Sequence, residues 1–153
     1  MNNFRVSRIF PIVLCIGCGA SVSNPDEAAV VAVIQQLRGK VDFEGEGSSK
    51  SVIKVYLHNT KVQDADLEKV GSLKKLRNLF LGNTLIGDNG LRFLSESTEL
   101  QTLSLNSTKV TDAGLESLSH LSKLKTLNLQ ETKTTAGGIS KLKKAIPGVK
   151  IAQ

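Results

Sequence analysis

The sequence predicts an α/β solenoid, in which a strand, a turn and a short helix recur along one chain. Three observations predict it. Apolar residues return at a fixed spacing of 24 residues; within each unit they alternate with period two and then follow helical spacing; and the core is aliphatic. Hydrophobic residues make up 40% of the 153, aromatic residues only 4%, and Trp is absent. With 22% charged residues this is globular composition at the length of one domain.

The columns are continuous. Val52, Leu76, Leu100 and Leu124 form the first, and Val55, Leu79, Leu103 and Leu127 the second. Leu57, Leu81, Leu105 and Leu129 follow, then Thr60, Thr84, Thr108 and Thr132. Val62, Ile86, Val110 and Thr134 complete the strand-and-turn half. In the helical half Leu67, Leu91, Leu115 and Ile139 align, as do Val70, Leu94, Leu118 and Leu142. Each unit reads L-x-x-L-x-L-x-x-T-x-V-x-D-x-G-L-x-x-L, clearest from Leu100 to Leu118.

This grammar resembles the leucine-rich-repeat family, in the T-D-x-G-L form found in bacterial proteins, with Thr at the ninth position where Asn or Cys is usual. The resemblance covers residues 52 to about 147. It implies a short right-handed horseshoe with parallel strands on the concave side, about 4.8 Å apart, and helices on the convex side. A single unit cannot bury its apolar edge, so stacked neighbours share one core. The Thr column is expected to turn inward, its hydroxyls serving loop backbone groups of adjacent repeats. Asp64, Asp88 and Asp112 form a further column, read as caps of their own helix N-termini rather than a calcium ladder, because calcium needs a converging set of oxygens.

The array needs covers at both ends. Asn24, Pro25, Asp26 and Glu27 form a helix start, with Val30, Ile34 and Leu37 on one face and Gly39 past its end. Val41–Phe43 and Val52–Leu57 flank a Gly-rich turn, a hairpin signature. At the other end Ile139, Leu142 and Ile146 mark a last helix, stopped by Pro147 and Gly148, and Val149 to Ile151 supplies a closing strand. The expected division is a signal peptide at 1–18, a tether at 19–24, an N-terminal cap at 25–51, four repeats at 52–147 and a closing strand at 148–153.

The signal reading comes from Arg5 and Arg8 before the apolar run Ile9 to Ile16 and the small residues after it. The run is too short to span a bilayer. Leu14 to Cys18 resembles a bacterial lipobox, with Cys15 where an aliphatic residue is usual, which implies a lipid on Cys18. Gly19 after it is similar to the outer-membrane sorting signal. Cleavage near Ser21 to Ser23, releasing a soluble protein, is the alternative. Both cysteines, Cys15 and Cys18, lie here, so the repeats contain no disulfide.

Nothing in the residues composes a catalytic set: the two histidines, His58 and His120, fall in a strand and at a helix end, and no P-loop or metal-ligand cluster occurs. No enzyme activity, metal or cofactor is expected. Binding is. Alternation places Lys54, Tyr56, His58, Asn78, Phe80 and Gly82 on the concave face, followed by Thr102, Ser104, Asn106, Thr126, Asn128 and Gln130. Tyr56 and Phe80 stand one repeat apart and form a candidate hot spot. From Leu121 onward seven lysines face Glu131 alone, a basic end read as helix-solvating charge. The resulting expectation is an exported, lipid-anchored, monomeric module that binds an unknown protein or glycan at the cell envelope, periplasmic or outer-membrane, and no nucleic acid. The alternative is an envelope scaffold.

Overall fold

The computed structural model describes residues 25–46 and 50–153. Its elements are α1 (Pro25–Gln36), β1 (Lys40–Glu44), β2 (Ser51–Tyr56), α2 (Asp66–Gly71), β3 (Asn78–Phe80), α3 (Asp88–Arg92), β4 (Thr102–Ser104), α4 (Asp112–Ser117), β5 (Thr126–Asn128), α5 (Ala136–Ala145) and β6 (Lys150–Ala152). The strands make one six-stranded sheet in chain order. β1 and β2 pair antiparallel, with a bulge between Asp42 and Phe43; every later pair is parallel. Val55, Leu79, Leu103, Leu127 and Ile151 are direct neighbours across the sheet, so the sequence period is the strand register. A slip of one residue would turn every leucine outward.

The core is one cluster. Leu79, Leu103 and Leu127, with Leu57, Leu81 and Leu105, are 0% exposed, and the helical columns from Leu67 to Leu142 meet them from the convex side. Each such side chain removed from water contributes about 2 kcal/mol. α1 extends the cluster through Val30, Val31 and Ile34, and the Glu27 carboxylate accepts the Val52 N–H at 3.0 Å, which fixes α1 to the start of β2. Gly39 is obligatory here: a Cβ would stand 2.7 Å from both Leu57 Cδ2 and the Tyr56 carbonyl oxygen. Asn24 and the turn residues 47–49 lie outside the described residues.

Two columns act differently from the sequence expectation. The hydroxyls of Thr60, Thr84, Thr108 and Thr132 do point inward, but each donates to a carbonyl of its own repeat, that of Leu57, Leu81, Leu105 or Leu129, at 2.6 to 2.7 Å. The turn is tight enough that the oxygen three residues back is nearer than any neighbour. The aspartates, conversely, serve the next repeat rather than their own helix. Asp64 accepts the Gly87 N–H at 2.8 Å. Asp88 accepts both the N–H and hydroxyl of Thr111 at 2.7 Å, and Asp112 those of Thr135 at 2.7 and 2.6 Å. Thr111 and Thr135 in turn cap α4 and α5 by accepting from Ala113 N–H and Gly138 N–H. Charge-assisted bonds thus stitch neighbouring repeats along the helix side.

The stitch explains the glycine of D-x-G-L. A Cβ on Gly90, Gly114 or Gly138 would meet Oδ1 of Asp64, Asp88 or Asp112 at 2.6, 2.4 or 2.2 Å. The aspartate of one repeat occupies the space above the glycine of the next. Where the chain has no aspartate in the preceding column, at Asp66, the glycine is absent too.

Candidate functional site

The sheet face opposite the helices is built from the residues that alternate with the buried leucines. Pairing brings Lys54, Asn78, Thr102, Thr126 and Lys150 into one row and Tyr56, Phe80, Ser104, Asn128 and Ala152 into a second. His58, Gly82, Asn106 and Gln130 continue beyond the strands, held in step by bonds from Asn59, Asn83 and Ser107 N–H to the carbonyls of Gly82, Asn106 and Gln130. All nine site candidates therefore lie together on one face, half-buried except for exposed His58. None of the helices packs on that side: α1 to α5 all send their apolar residues into the shared core.

Its N-terminal half is aromatic and charged. The Tyr56 and Phe80 rings stack with centroids 5.0 Å apart and planes 4° from parallel, the strand spacing setting the distance. His58 meets Tyr56 edge-on at 6.5 Å. The Tyr56 hydroxyl donates to Asp42 Oδ2 at 2.9 Å, and Lys54 Nζ stands 3.8 Å from the same oxygen. That bond, then burial, then the carboxylate's charge hold the phenol above its ordinary pKa. Asp42 was not among the residues the repeat pattern placed here, because β1 lies outside the repeats. The alternation of Val41 and Phe43 around it was the available signal, since it turns Asp42 to the opposite face from them.

The C-terminal half is polar, with Lys150 on the edge strand as the one charged residue of its two rows. Ser104 donates its hydroxyl to Asn106 Oδ1 at 2.8 Å, and Gln130 N–H donates to Asn128 Oδ1 at 3.0 Å. Asn106 leans over Gly82, where a Cβ would come within 2.4 Å of Oδ1. Both amides are thereby oriented, and among the described residues their nitrogens have no partner.

The remaining candidates separate. His120 is exposed in the turn three residues past the end of α4, whereas His58 follows β2. Among the described residues no three His, Cys, Asp or Glu side chains converge as metal ligands, and the aspartate column is engaged by Gly87, Thr111 and Thr135. In the basic end, Lys123 pairs with Glu99 at 2.6 Å, while the α5 lysines are exposed. Cys18 lies outside the described residues, and among those described no helix is long and apolar enough to cross a membrane.

No protein-family model matches the chain, and no curated protein matches it in sequence. Solved structures do. A leucine-rich-repeat protein of Leptospira interrogans aligns over 66% of this chain at 19% identity and a TM-score of 0.53. An internalin of Listeria monocytogenes aligns over 66% at 20% identity, with a TM-score of 0.46. The leucine-rich-repeat ectodomain of a receptor kinase from Arabidopsis thaliana aligns over 84% at 12% identity, with a TM-score of 0.45. The alignments take in 25%, 34% and 91% of those chains, so this chain spans about a quarter of the Leptospira protein. With the parallel register of its strands and the Leptospira superposition together, the chain has the fold of a leucine-rich-repeat solenoid.

Proposed function

We propose that the chain is a binding module of the cell envelope, exported by residues 1–18, anchored through a lipid on Cys18, and holding a protein or glycan on its concave face. One observation carries the binding reading: the stacked Tyr56 and Phe80 rings stand half-buried on a sheet face that no helix among the described residues covers. Stacked rings give a rigid apolar surface at small entropic cost, and the polar groups around them supply direction. The export reading rests on the charge and hydropathy of the first 18 residues.

The experiment is capture of partners from envelope extracts by the immobilised protein, followed by affinity measurement with the Tyr56→Ser/Phe80→Ser variant. Loss of the stack and of the Tyr56–Asp42 bond costs about 1 kcal/mol of stability, so affinities are compared where both proteins are folded. A loss of about ten-fold or more in affinity is expected. Unchanged affinity contradicts the reading and leaves a scaffold role. Palmitate labelling that survives Cys18→Ala contradicts the anchor.

A further inference from the structure

We infer that the polar half of the concave face is a subsite for a neutral carbohydrate, with a pyranose ring stacked on Phe80 and its hydroxyls bound by the Asn106 and Asn128 amides. The inference rests on the concave face being the binding surface and names the ligand class it fits.

Phe80 uses one ring face against Tyr56; the opposite face borders Ser104, its register partner on β4. Ser104 is far smaller than a phenyl ring, so the surface steps down at this point and leaves a flat apolar wall beside a polar floor. Apolar C–H edges of a sugar fit such a wall. The floor bears Thr102, Asn106, Thr126, Asn128 and Gln130, which are hydroxyls and amides without a formal charge. The concave rows carry their lysines, Lys54 and Lys150, two strands to either side of β4, so a charged ligand seated over Ser104 has no counter-charge beside it, which disfavours its desolvation there. A polyol finds donors and acceptors in kind.

The donors are also pre-set. Because Asn106 Oδ1 is held by the Ser104 hydroxyl and Asn128 Oδ1 by the Gln130 N–H, each amide turns its NH2 group away from those bonds. Less rotamer freedom is then lost on binding. Asn128 ends β5 as the register partner of Ser104, and Asn106 lies two positions past Ser104, so the two amides border the Ser104 step from two sides, one row apart. One ring seated over Ser104 would meet Phe80 on one side and the two amides along its other edges.

The test is isothermal titration of the 153-residue chain with cellohexaose, maltohexaose and chitohexaose, repeated for Phe80→Leu, Asn106→Ala and Asn128→Ala, with convex Phe93→Ser as control. Phe80→Leu keeps an apolar side chain but removes the flat face, and circular dichroism checks folding of each variant. Binding of one oligosaccharide that weakens about ten-fold in each concave variant and is unchanged in the control supports the inference. No oligosaccharide binding, while a protein partner is still lost in the Tyr56→Ser/Phe80→Ser variant, overturns the carbohydrate assignment and leaves the concave-face reading intact. Oligosaccharide binding indifferent to all three concave variants overturns both.

Discussion

Gly114→Ala should destabilise the protein on its own and stabilise it once Asp88 has been replaced by alanine. In an ordinary helix the exchange gains about 0.5 to 1 kcal/mol. Here the new Cβ would stand 2.4 Å from Asp88 Oδ1 and 3.0 Å from Leu91 Cδ1, with the carboxylate pinned by the Thr111 N–H and hydroxyl. Displacing it strains or breaks those bonds, at a net cost of about 2 kcal/mol. Asp88→Ala alone leaves the Thr111 N–H without its acceptor and costs about 2 kcal/mol as well. In the double variant the clash with Asp88 is gone, Leu91 can rotate, and the helix gain returns, so the two changes couple by roughly 3 kcal/mol. Urea unfolding of the four proteins at a common m-value measures the cycle. Additivity within about 0.5 kcal/mol would show that the aspartate does not hold the space above the glycine.

Other outcomes follow from single groups. The Thr135 hydroxyl and then its N–H hold the Asp112 carboxyl below its ordinary value of 3.8; a depressed folded-state pKa stabilises fully above that value and is lost as pH falls through the lowered one. The thermal midpoint should therefore fall less steeply on acidification below that value in Asp112→Asn than in the parent, and equal slopes would contradict the stitch. Ser97 is 3% exposed, and its hydroxyl has no partner among the described residues, where Leu73 and Leu121 stand in neighbouring repeats. Ser97→Ala should raise stability by about 1 kcal/mol in denaturant titration; a loss would mean that the hydroxyl has a partner. Glu131 adopts φ 57°, in the column where Asn59 and Asn83 hold the same left-handed turn. Glu131→Gly should stabilise by about 0.5 kcal/mol, the relief of strain exceeding loss of its exposed bond to Ser107; a lowered midpoint would refute it.

The fold was legible because its signal is redundant: Leu79, Leu103 and Leu127 restate one register, and no local ambiguity survives repeated restatement. The concave residues were legible for the same reason, since alternation with those leucines fixes their side. What escaped was the direction of polar bonds. A carboxylate at a helix start can reach its own N–H groups or a neighbour's, and only the packing of α3 on α4 decides that Asp88 reaches Thr111. A trace did exist, since Asp64, Asp88 and Asp112 each precede a glycine by 26 positions, whereas only Asp88 and Asp112 have one two positions on. Asp42 escaped because β1 belongs to the hairpin, where no column predicts a partner for Tyr56.

Binding by the concave sheet is tested most directly by comparing two phenylalanines. Phe80 stands half-buried on the concave face, and Phe93 is 40% exposed beside α3 on the convex side. Affinity for the ligand or partner should fall about ten-fold or more in Phe80→Ser and stay at the parent value in Phe93→Ser. The reverse pattern would place recognition on the helices and contradict the concave site.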